Sequence, residues 1–310
     1  MLGNFEDQDG LRTDAPTSDL ETHNLVVAWA ASHGVPLYAC DITSAYFQGN
    51  PLDREVLMRQ PRPGIPGIDK DAVLMVRVPT YGLADSGRGF WKRLDREARD
   101  VGLSVSKIFP AFYFLRAPEK ANEDEPEPLI HMSKTVPVRS RVVAVMTTHV
   151  DDLLYAYLPE GEAKVKELLD KFDIGSSESR DFRYCGKQFK TTEEGITVDV
   201  VDNTRRIKPI RVESGRPNAD PLLAHETTQL RSVVGSLSWI ARQGRPDLVY
   251  RVSRLQANTK DSSVHWLKEA NKVLELALEG MEDVKLRFPF HLMNWDSVGI
   301  FVSVGRILRQ

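Results

Sequence analysis

The chain has 310 residues, of which 41% are hydrophobic and 27% are charged, and its formal net charge is −3 at pH 7. This composition predicts a soluble protein of about two domains with a sizeable core, and no apolar run is long enough to predict a membrane span. The slight negative charge argues weakly against a nucleic-acid partner, although a basic groove can lie on a nearly neutral protein. Cys40 and Cys185 lack metal-binding spacing, so we predict reduced thiols in an intracellular protein, and the polar first 20 residues predict no signal peptide.

The hydrophobic periodicity predicts an alternation of strands and helices, followed by helices alone. The predicted helices are 19–33, 83–101, 160–173, 225–242, 246–258 and 263–279. The predicted strands are 36–40, 55–60, 72–78, 111–116, 141–148, 153–158, 182–190 and 195–201. Ser18 with Glu21 resembles a capping box at the start of the first helix. The acidic segment 117–128 is predicted to be a loop, and the change in character predicts a boundary near 205–225.

Three aspartates stand out because they lie beside apolar, β-prone segments. Asp41 follows the apolar residues LYAC, and Asp151 and Asp152 lie at the predicted tip of a hairpin. Carboxylates from separate strands can clamp the two divalent ions that nucleotidyl transfer uses, and Mg²⁺ prefers such oxygen ligands. An isolated pair of aspartates is more commonly a solvated turn, so the context carries this interpretation.

Four longer segments and one short one occur in a characteristic order. They are DAPT (14–17), DITSAYFQGNPLDREVLMRQPRPG (41–64), YGLADSGRGFW (81–91), HVDDLLY (149–155) and GSLSWIARQGRPDLVYRVSRLQ (235–256). In this order they resemble the reverse-transcriptase segments of copia-type retrotransposons. The resemblance covers roughly residues 14–280.

The resemblance implies an α+β fold: a right-hand polymerase palm and fingers with a mixed antiparallel sheet over 1–210, then a helical region like a thumb or connection over 211–310. It implies RNA-directed DNA polymerase activity, with two Mg²⁺ ions (or Mn²⁺) held by Asp41, Asp151 and Asp152. The implied nucleotide-binding residues are Ile42 through its backbone carbonyl, Tyr46, Tyr81, Gly82 and Arg88. The implied partners are an RNA or DNA template with its primer, dNTPs and other Pol polyprotein segments, in a cytoplasmic virus-like particle or the nucleus, with no membrane.

Each implied role has a structural alternative. Tyr46 is either a steric gate against ribonucleotides or a core aromatic, and Tyr81 with Gly82 is either a nucleotide-lining segment or a helix-entry turn. Arg88, with the neighbouring Lys92 and Arg93, either binds phosphates or lies on a solvated helix face. For the RPD segment, a structural role is favoured: Arg245 pairs with Asp247, and Pro246 suits a first helical turn.

The sequence also departs from the family pattern. His149 stands where the family usually has tyrosine, Trp91 lies one place after the usual tryptophan, and Trp239 replaces a tyrosine. We expect a chain shortened at its N-terminus, with an RNase H domain absent or truncated, because only Asp296 lies in the last segment.

Three other functions remain open. The first is an inactive retrotransposon remnant that folds and binds nucleic acid. The second is another Asp-based metal phosphotransferase, which would not require Asp41 beside the hairpin tip. The third is an interaction scaffold, which would have no carboxylate cluster.

Overall fold

A computed structural model describes residues 8–118, 140–260 and 262–291. Its helices are α1 (Leu20–His33), α2 (Ser86–Asp100), α3 (Pro159–Leu169), α4 (Val201–Arg206), α5 (Ala224–Gln243), α6 (Val249–Ala257) and α7 (Val264–Glu279). Its strands are β1 (Tyr38–Ile42), β2 (Val56–Arg59), β3 (Val73–Val76), β4 (Ser104–Val105), β5 (Phe112–Pro118), β6 (Ser140–His149), β7 (Asp152–Tyr157), β8 (Ile174–Ser179), β9 (Asp181–Tyr184), β10 (Lys187–Thr191), β11 (Gly195–Asp199) and β12 (Leu286–Pro289). Short 3-10 helices cover Ala45–Gln48 and Pro246–Leu248.

The central element is a six-stranded sheet in the order β4-β5-β6-β7-β1-β8. A four-stranded sheet has the order β12-β11-β10-β9, and β2 and β3 form a separate hairpin. Every pairing between the described strands is antiparallel, which agrees with the antiparallel sheet that the sequence predicted, and no described pair is parallel. Consecutive strands such as β6 and β7 are joined by a tight turn, which only antiparallel neighbours allow.

Both faces of the six-stranded sheet are covered. Along β1, Cys40 and Ile42 belong to a core shared with α2 and α3, whereas Ala39 belongs to a core shared with α1 and the four-stranded sheet. Because side chains alternate along a strand, each strand contributes to both cores. The long, nearly continuous apolar character of β6 and β7 follows from this double burial.

The C-terminal helices form a third core of their own, with α5, α6 and α7 in mutual contact. After these helices the chain returns to the four-stranded sheet, where β12 pairs with β11. The helices between 211 and 279 are therefore connected at both ends to the rest of the fold.

The first helix begins one residue later than the capping pattern indicated. Asp19, not Ser18, is the N-cap, and its carboxylate accepts a hydrogen bond from the Thr22 backbone N–H at 2.8 Å. The Thr22 hydroxyl closes the capping box by accepting from the Asp19 N–H at 3.0 Å. The predicted cap of Ser18 with Glu21 is wrong because Ser18 is engaged elsewhere in the fold.

The remaining differences concern short or polar elements. Strand β8, which reads IGSSES, has no alternating apolar pattern and was not predicted. The predicted strand over 182–190 is two strands, β9 and β10, joined by a tight turn. Most of the predicted acidic loop, the N-terminal segment before residue 8 and Asp296 lie outside the described residues. No described helix is both long enough and apolar enough to cross a membrane.

The structural interpretation of the RPD segment is confirmed. Arg245 is 2% exposed, and its guanidinium donates two hydrogen bonds to the Asp247 carboxylate, at 2.9 and 2.8 Å. It also donates to the carbonyl oxygen of Ala277 at 2.7 Å, in the last turn of α7, where carbonyls lack helical partners. Pro246 opens the 3-10 turn before α6. One side chain thus joins the start of α6 to the end of α7.

We expect Arg245→Met to lower the free energy of unfolding by about 2–4 kcal/mol, because it leaves the α7 carbonyls without a buried donor. Urea denaturation measures this change. Arg251→Met, on the exposed side of α6, is the control and is expected to stay within about 0.5 kcal/mol of wild type. Equal effects of the two substitutions would contradict the assigned role of Arg245.

Candidate active site

Asp41 and Asp152 lie directly opposite each other on neighbouring strands. In the antiparallel register of β1 and β7, Ala39 pairs with Leu154 and Asp41 pairs with Asp152. Directly opposed residues of an antiparallel pair project on the same face, with Cα atoms about 4.5–5.5 Å apart. Two aspartates that are 111 positions apart in the sequence are therefore neighbours, as the sequence interpretation required. Asp41 lies inside β1, whereas the prediction placed it just after the strand.

Asp151 occupies the turn that joins β6 to β7. His149 pairs with Asp152 across the hairpin, so the predicted hairpin is confirmed. Its tip consists of Val150 and Asp151, whereas the prediction placed the tip at Asp151 and Asp152; Asp152 is the first residue of β7. The Ile42 backbone N–H donates to the Asp151 carbonyl at 2.9 Å, which ties the tip to β1. Val150 has a φ of +60°, an unfavourable conformation for a β-branched residue. The surroundings must hold such a turn in place.

The three aspartates make this end of the sheet strongly electronegative. Partial burial, followed by the charge of Asp151, raises the pKa of Asp41 above its ordinary value. Burial, followed by the charges of Asp151 and Asp41, raises the pKa of Asp152 as well. Within the described ranges, none of the three forms an ion pair with lysine, arginine or histidine. Half-buried carboxylates without a cationic partner favour the approach of an external cation.

The donor set suits a hard divalent ion, because carboxylate oxygens are the ligands that Mg²⁺ prefers. However, the part of the chain described contains no group of three or more His, Cys, Asp or Glu side chains already gathered as a metal cluster. The structure thus brings Asp41 opposite Asp152 and places Asp151 in the adjoining turn.

Gly175 on β8 was missed by the sequence analysis, although it contacts the Asp41 side chain. Strand β8 pairs with the other edge of β1, with Asp41 opposite Ser176. A Cβ atom on Gly175 would lie 2.5 Å from the Thr43 hydroxyl oxygen and 3.0 Å from Asp41 Oδ2. Glycine therefore leaves the room that the Asp41 carboxylate occupies. The polar sequence around it gave no signal of a strand.

Aromatic rings lie next to the aspartates. Tyr46 is half-buried against the core, and its ring centroid is 4.8 Å from that of Tyr81. Burial, then the charges of Asp151 and Tyr81, raises the pKa of Tyr46, which places its hydroxyl in the field of the site. Phe47 and Tyr81 are both about half exposed, and their centroids are 5.9 Å apart. Gly82 has a φ of +95°, a conformation that glycine adopts without strain.

The predicted phosphate-binding arginines are engaged within the protein. Arg88 donates to the Asp14 carboxylate at 2.8 Å and to the Asp14 carbonyl at 2.9 Å, and its side chain is only 12% exposed. Arg93 donates to backbone carbonyls, including that of Lys171 at 2.8 Å. Lys92 is exposed on the same helix. A role for Arg88 in phosphate binding would require its ion pair with Asp14 to open.

The pair of Arg88 with Asp14 holds the segment 14–17 against the site. Residues 15–17 of this segment line a cavity of about 110 Å³ together with Tyr46, Trp91 and Val150. This segment is the short motif DAPT (14–17) of the sequence resemblance. In the structure it covers the side of the hairpin tip.

No family model matches this chain, and no curated protein matches it in sequence. Among solved structures, it is similar to the foamy viral protease-reverse transcriptase, determined in complex with double-stranded DNA. The similarity has a TM-score of 0.46 at 13% sequence identity and covers 90% of this chain. It covers 41% of the viral chain, so this protein spans about two fifths of that chain's length. The viral protein is a distant structural neighbour.

We expect Gly175→Ala to lower the free energy of unfolding by about 1–3 kcal/mol, because the new methyl group must displace Asp41 or Thr43. Gly235→Ala is the matched control. Nothing lies within 4 Å of the added Cβ at Gly235, which is inside helix α5, so alanine should stabilise the protein by about 0.5–1 kcal/mol. Thermal or urea denaturation distinguishes the two, and a stabilised Gly175→Ala variant would contradict the contact.

Proposed function

We propose that this chain is the reverse-transcriptase core of a copia-type Pol polyprotein and catalyses template-directed nucleotidyl transfer to a primer 3′-hydroxyl. The observation that carries the proposal is the register that places Asp41 opposite Asp152, beside the turn that contains Asp151. The motifs in which these residues occur resemble the copia-type segments in the same order. A phosphotransferase that did not use Asp41 would have no need of this pairing.

In this proposal Asp41, Asp151 and Asp152 hold the divalent ions. Bound Mg²⁺ would supply charge neutralisation of a triphosphate and a lowered pKa for an attacking hydroxyl. The protein contributes by fixing the carboxylates on two paired strands before substrate binds, which is the preorganisation that such catalysis needs. The backbone carbonyl of Ile42 faces the nucleotide in the proposed arrangement.

The aromatic residues support a nucleic-acid substrate. Exposed rings such as Phe47 and Tyr81 offer faces on which bases can stack, and such stacking is largely independent of sequence. The open backbone at Gly82 allows close approach to a nucleotide. Lys92 is exposed on α2 and suits a phosphate contact. The proposed substrates are therefore dNTPs and a primer annealed to an RNA or DNA template.

A catalytically inactive, nucleic-acid-binding remnant is the second candidate. It is favoured by the ion pair that engages Arg88 and by the lack of a ready cluster of three metal ligands in the described ranges. It predicts that the chain binds a template with its primer but does not extend it in Mg²⁺ or Mn²⁺.

We expect wild-type protein to extend a primer in the presence of Mg²⁺, and Asp151→Asn to reduce the rate by about a hundredfold or more, because one ligand charge is lost. Asp100→Asn removes an exposed carboxylate at the end of α2 and is expected to leave the rate unchanged. Gel-based primer extension measures the rates, and filter binding measures affinity for the template and primer. Binding without extension by the wild-type protein would support the remnant instead.

We expect Tyr46→Val to lower the preference for dNTPs over rNTPs by about tenfold or more, because the flat ring would otherwise collide with a ribose 2′-hydroxyl. Tyr46→Phe keeps the ring and should keep the preference. The measurement is kcat/KM for matched dNTP and rNTP. If Tyr46→Val leaves that ratio unchanged while remaining folded, Tyr46 is a core aromatic with no gating role.

A further inference from the structure

A line of buried polar side chains leads from the four-stranded sheet to the hairpin tip. Lys187 on β10 is 1% exposed, and its Nζ lies 2.8 Å from Nδ1 of His23 on α1. His23 Nε2 lies 2.7 Å from the Ser18 hydroxyl oxygen. That oxygen is in turn 3.4 Å from Nδ1 of His149, at the end of β6. Four polar groups from distant parts of the sequence thus form one chain of contacts.

The protonation states determine which group donates and which accepts at each step of this series of polar contacts. Lys187 has no carboxylate partner within the described residues, and burial lowers its pKa to about 8, so at neutral pH it is largely an ammonium that can only donate. Burial, followed by the charges of Lys187 and His149, lowers the pKa of His23 to about 3, so its ring is neutral. His23 Nδ1 therefore accepts from Lys187, and its Nε2–H donates to Ser18. The Ser18 hydroxyl hydrogen is then available to His149 Nδ1, 3.4 Å away, and to the Tyr184 hydroxyl oxygen.

The series of polar contacts ends at Thr148 and His149, next to the turn that carries Asp151. The Ser18 backbone N–H donates to the Thr148 carbonyl at 2.7 Å, so that this residue contacts β6 through both its backbone and its hydroxyl. On the far side of the turn, the Tyr184 hydroxyl donates to the Asp152 carbonyl at 3.4 Å, and the Tyr184 ring packs edge-on against His23 at 5.1 Å. Between these two attachments lies Val150 with its positive φ.

Burying the ammonium group of Lys187 costs free energy. An ammonium removed from water without a carboxylate partner is expensive, and a hydrophobic side chain of similar length would fill the space more favourably. A turn with a strained backbone, such as that at Val150, however, persists only where contacts from the surrounding residues hold it in that conformation. The arrangement is thus better suited to fixing the turn than to stabilising the fold.

We propose that Lys187, His23 and Ser18 form a positioning network that fixes the turn of Val150 and Asp151, and with it the adjoining Asp152 at the start of β7. The expected effect of the network on turnover rests on the proposed polymerase function and deepens it. The expected effect of the network on the order of the turn does not depend on that function. None of the three residues contacts the reacting atoms, so they act through His149 and Thr148.

Hydrogen exchange of the Ile42 amide tests the network without any assay of activity. This N–H bonds to the Asp151 carbonyl, so its protection reports the order of the turn. We expect Ser18→Ala to accelerate its exchange by about threefold or more, and Ser18→Thr, which keeps the hydroxyl, to restore protection. Ser32→Ala removes a hydroxyl from the other end of α1 and should leave Ile42 unchanged.

Lys187→Met separates positioning from general stability. Methionine fills a similar volume and removes a buried charge, which offsets the loss of the donor to His23, so the free energy of unfolding in urea should stay within about 1 kcal/mol of wild type. Exchange at Ile42 should nevertheless accelerate, because His23 loses the donor that fixes its ring. In primer extension, both Ser18→Ala and Lys187→Met should lower kcat about ten- to hundredfold with little change in the KM for dNTP.

The outcomes distinguish the two proposals. Unchanged exchange at Ile42 in both Ser18→Ala and Lys187→Met would overturn the positioning network, whatever the activity. Faster exchange in both, restored by Ser18→Thr, would support it even if the wild-type protein failed to extend a primer. That failure would count against the polymerase alone.

Discussion

The antiparallel pairing of β1 with β7 is the constraint on which the candidate site depends. A shift of one residue in this register would move Asp41 to the opposite face of the sheet from Asp152. Cores on both faces prevent such a shift, because Ala39 and Leu154 must meet α1 while Cys40 and Leu153 must meet the core of α2 and α3. Hydrophobic burial on two faces thus determines where two hydrophilic side chains lie. The carboxylates stand at the end of the strands, just beyond the apolar residues that set the register.

What the sequence could predict follows from periodicity. The long amphipathic helices and the apolar strands β6 and β7 were located to within a few residues, since their side chains repeat at helical or strand spacing. The hairpin tip was located to within one residue for the same reason: two apolar runs flank a short turn. Strand β8 has no such repeat, since IGSSES exposes most of its side chains at the edge of the sheet. For that reason the sequence pattern could not predict that Gly175 lies next to Asp41.

Other details depended on tertiary contacts that no local pattern contains. Ser18 is a good N-cap residue, yet it contacts Thr148 and His23, so the neighbouring Asp19 caps α1. Arg88 lies on a helix face that a sequence argument would place in solvent or against phosphate. Its actual partner, Asp14, is 74 positions earlier in the chain. Ser18 and Arg88 each have several feasible partners, and the tertiary fold decides which partner is used. The aspartates lie beside apolar strands, where few partners are available, so their role was easier to predict.

The distribution of cations explains how the site retains its negative charge. Arg88 is engaged by Asp14, and Lys187 donates to the neutral ring of His23, so neither of these two cations neutralises one of the three aspartates. Mutual repulsion and partial burial then raise the pKa of Asp41 and Asp152. A protein selected only for stability would gain by pairing these charges or by replacing them with apolar residues. Carboxylates that lie close together and form no ion pair within the described residues favour the binding of an external cation.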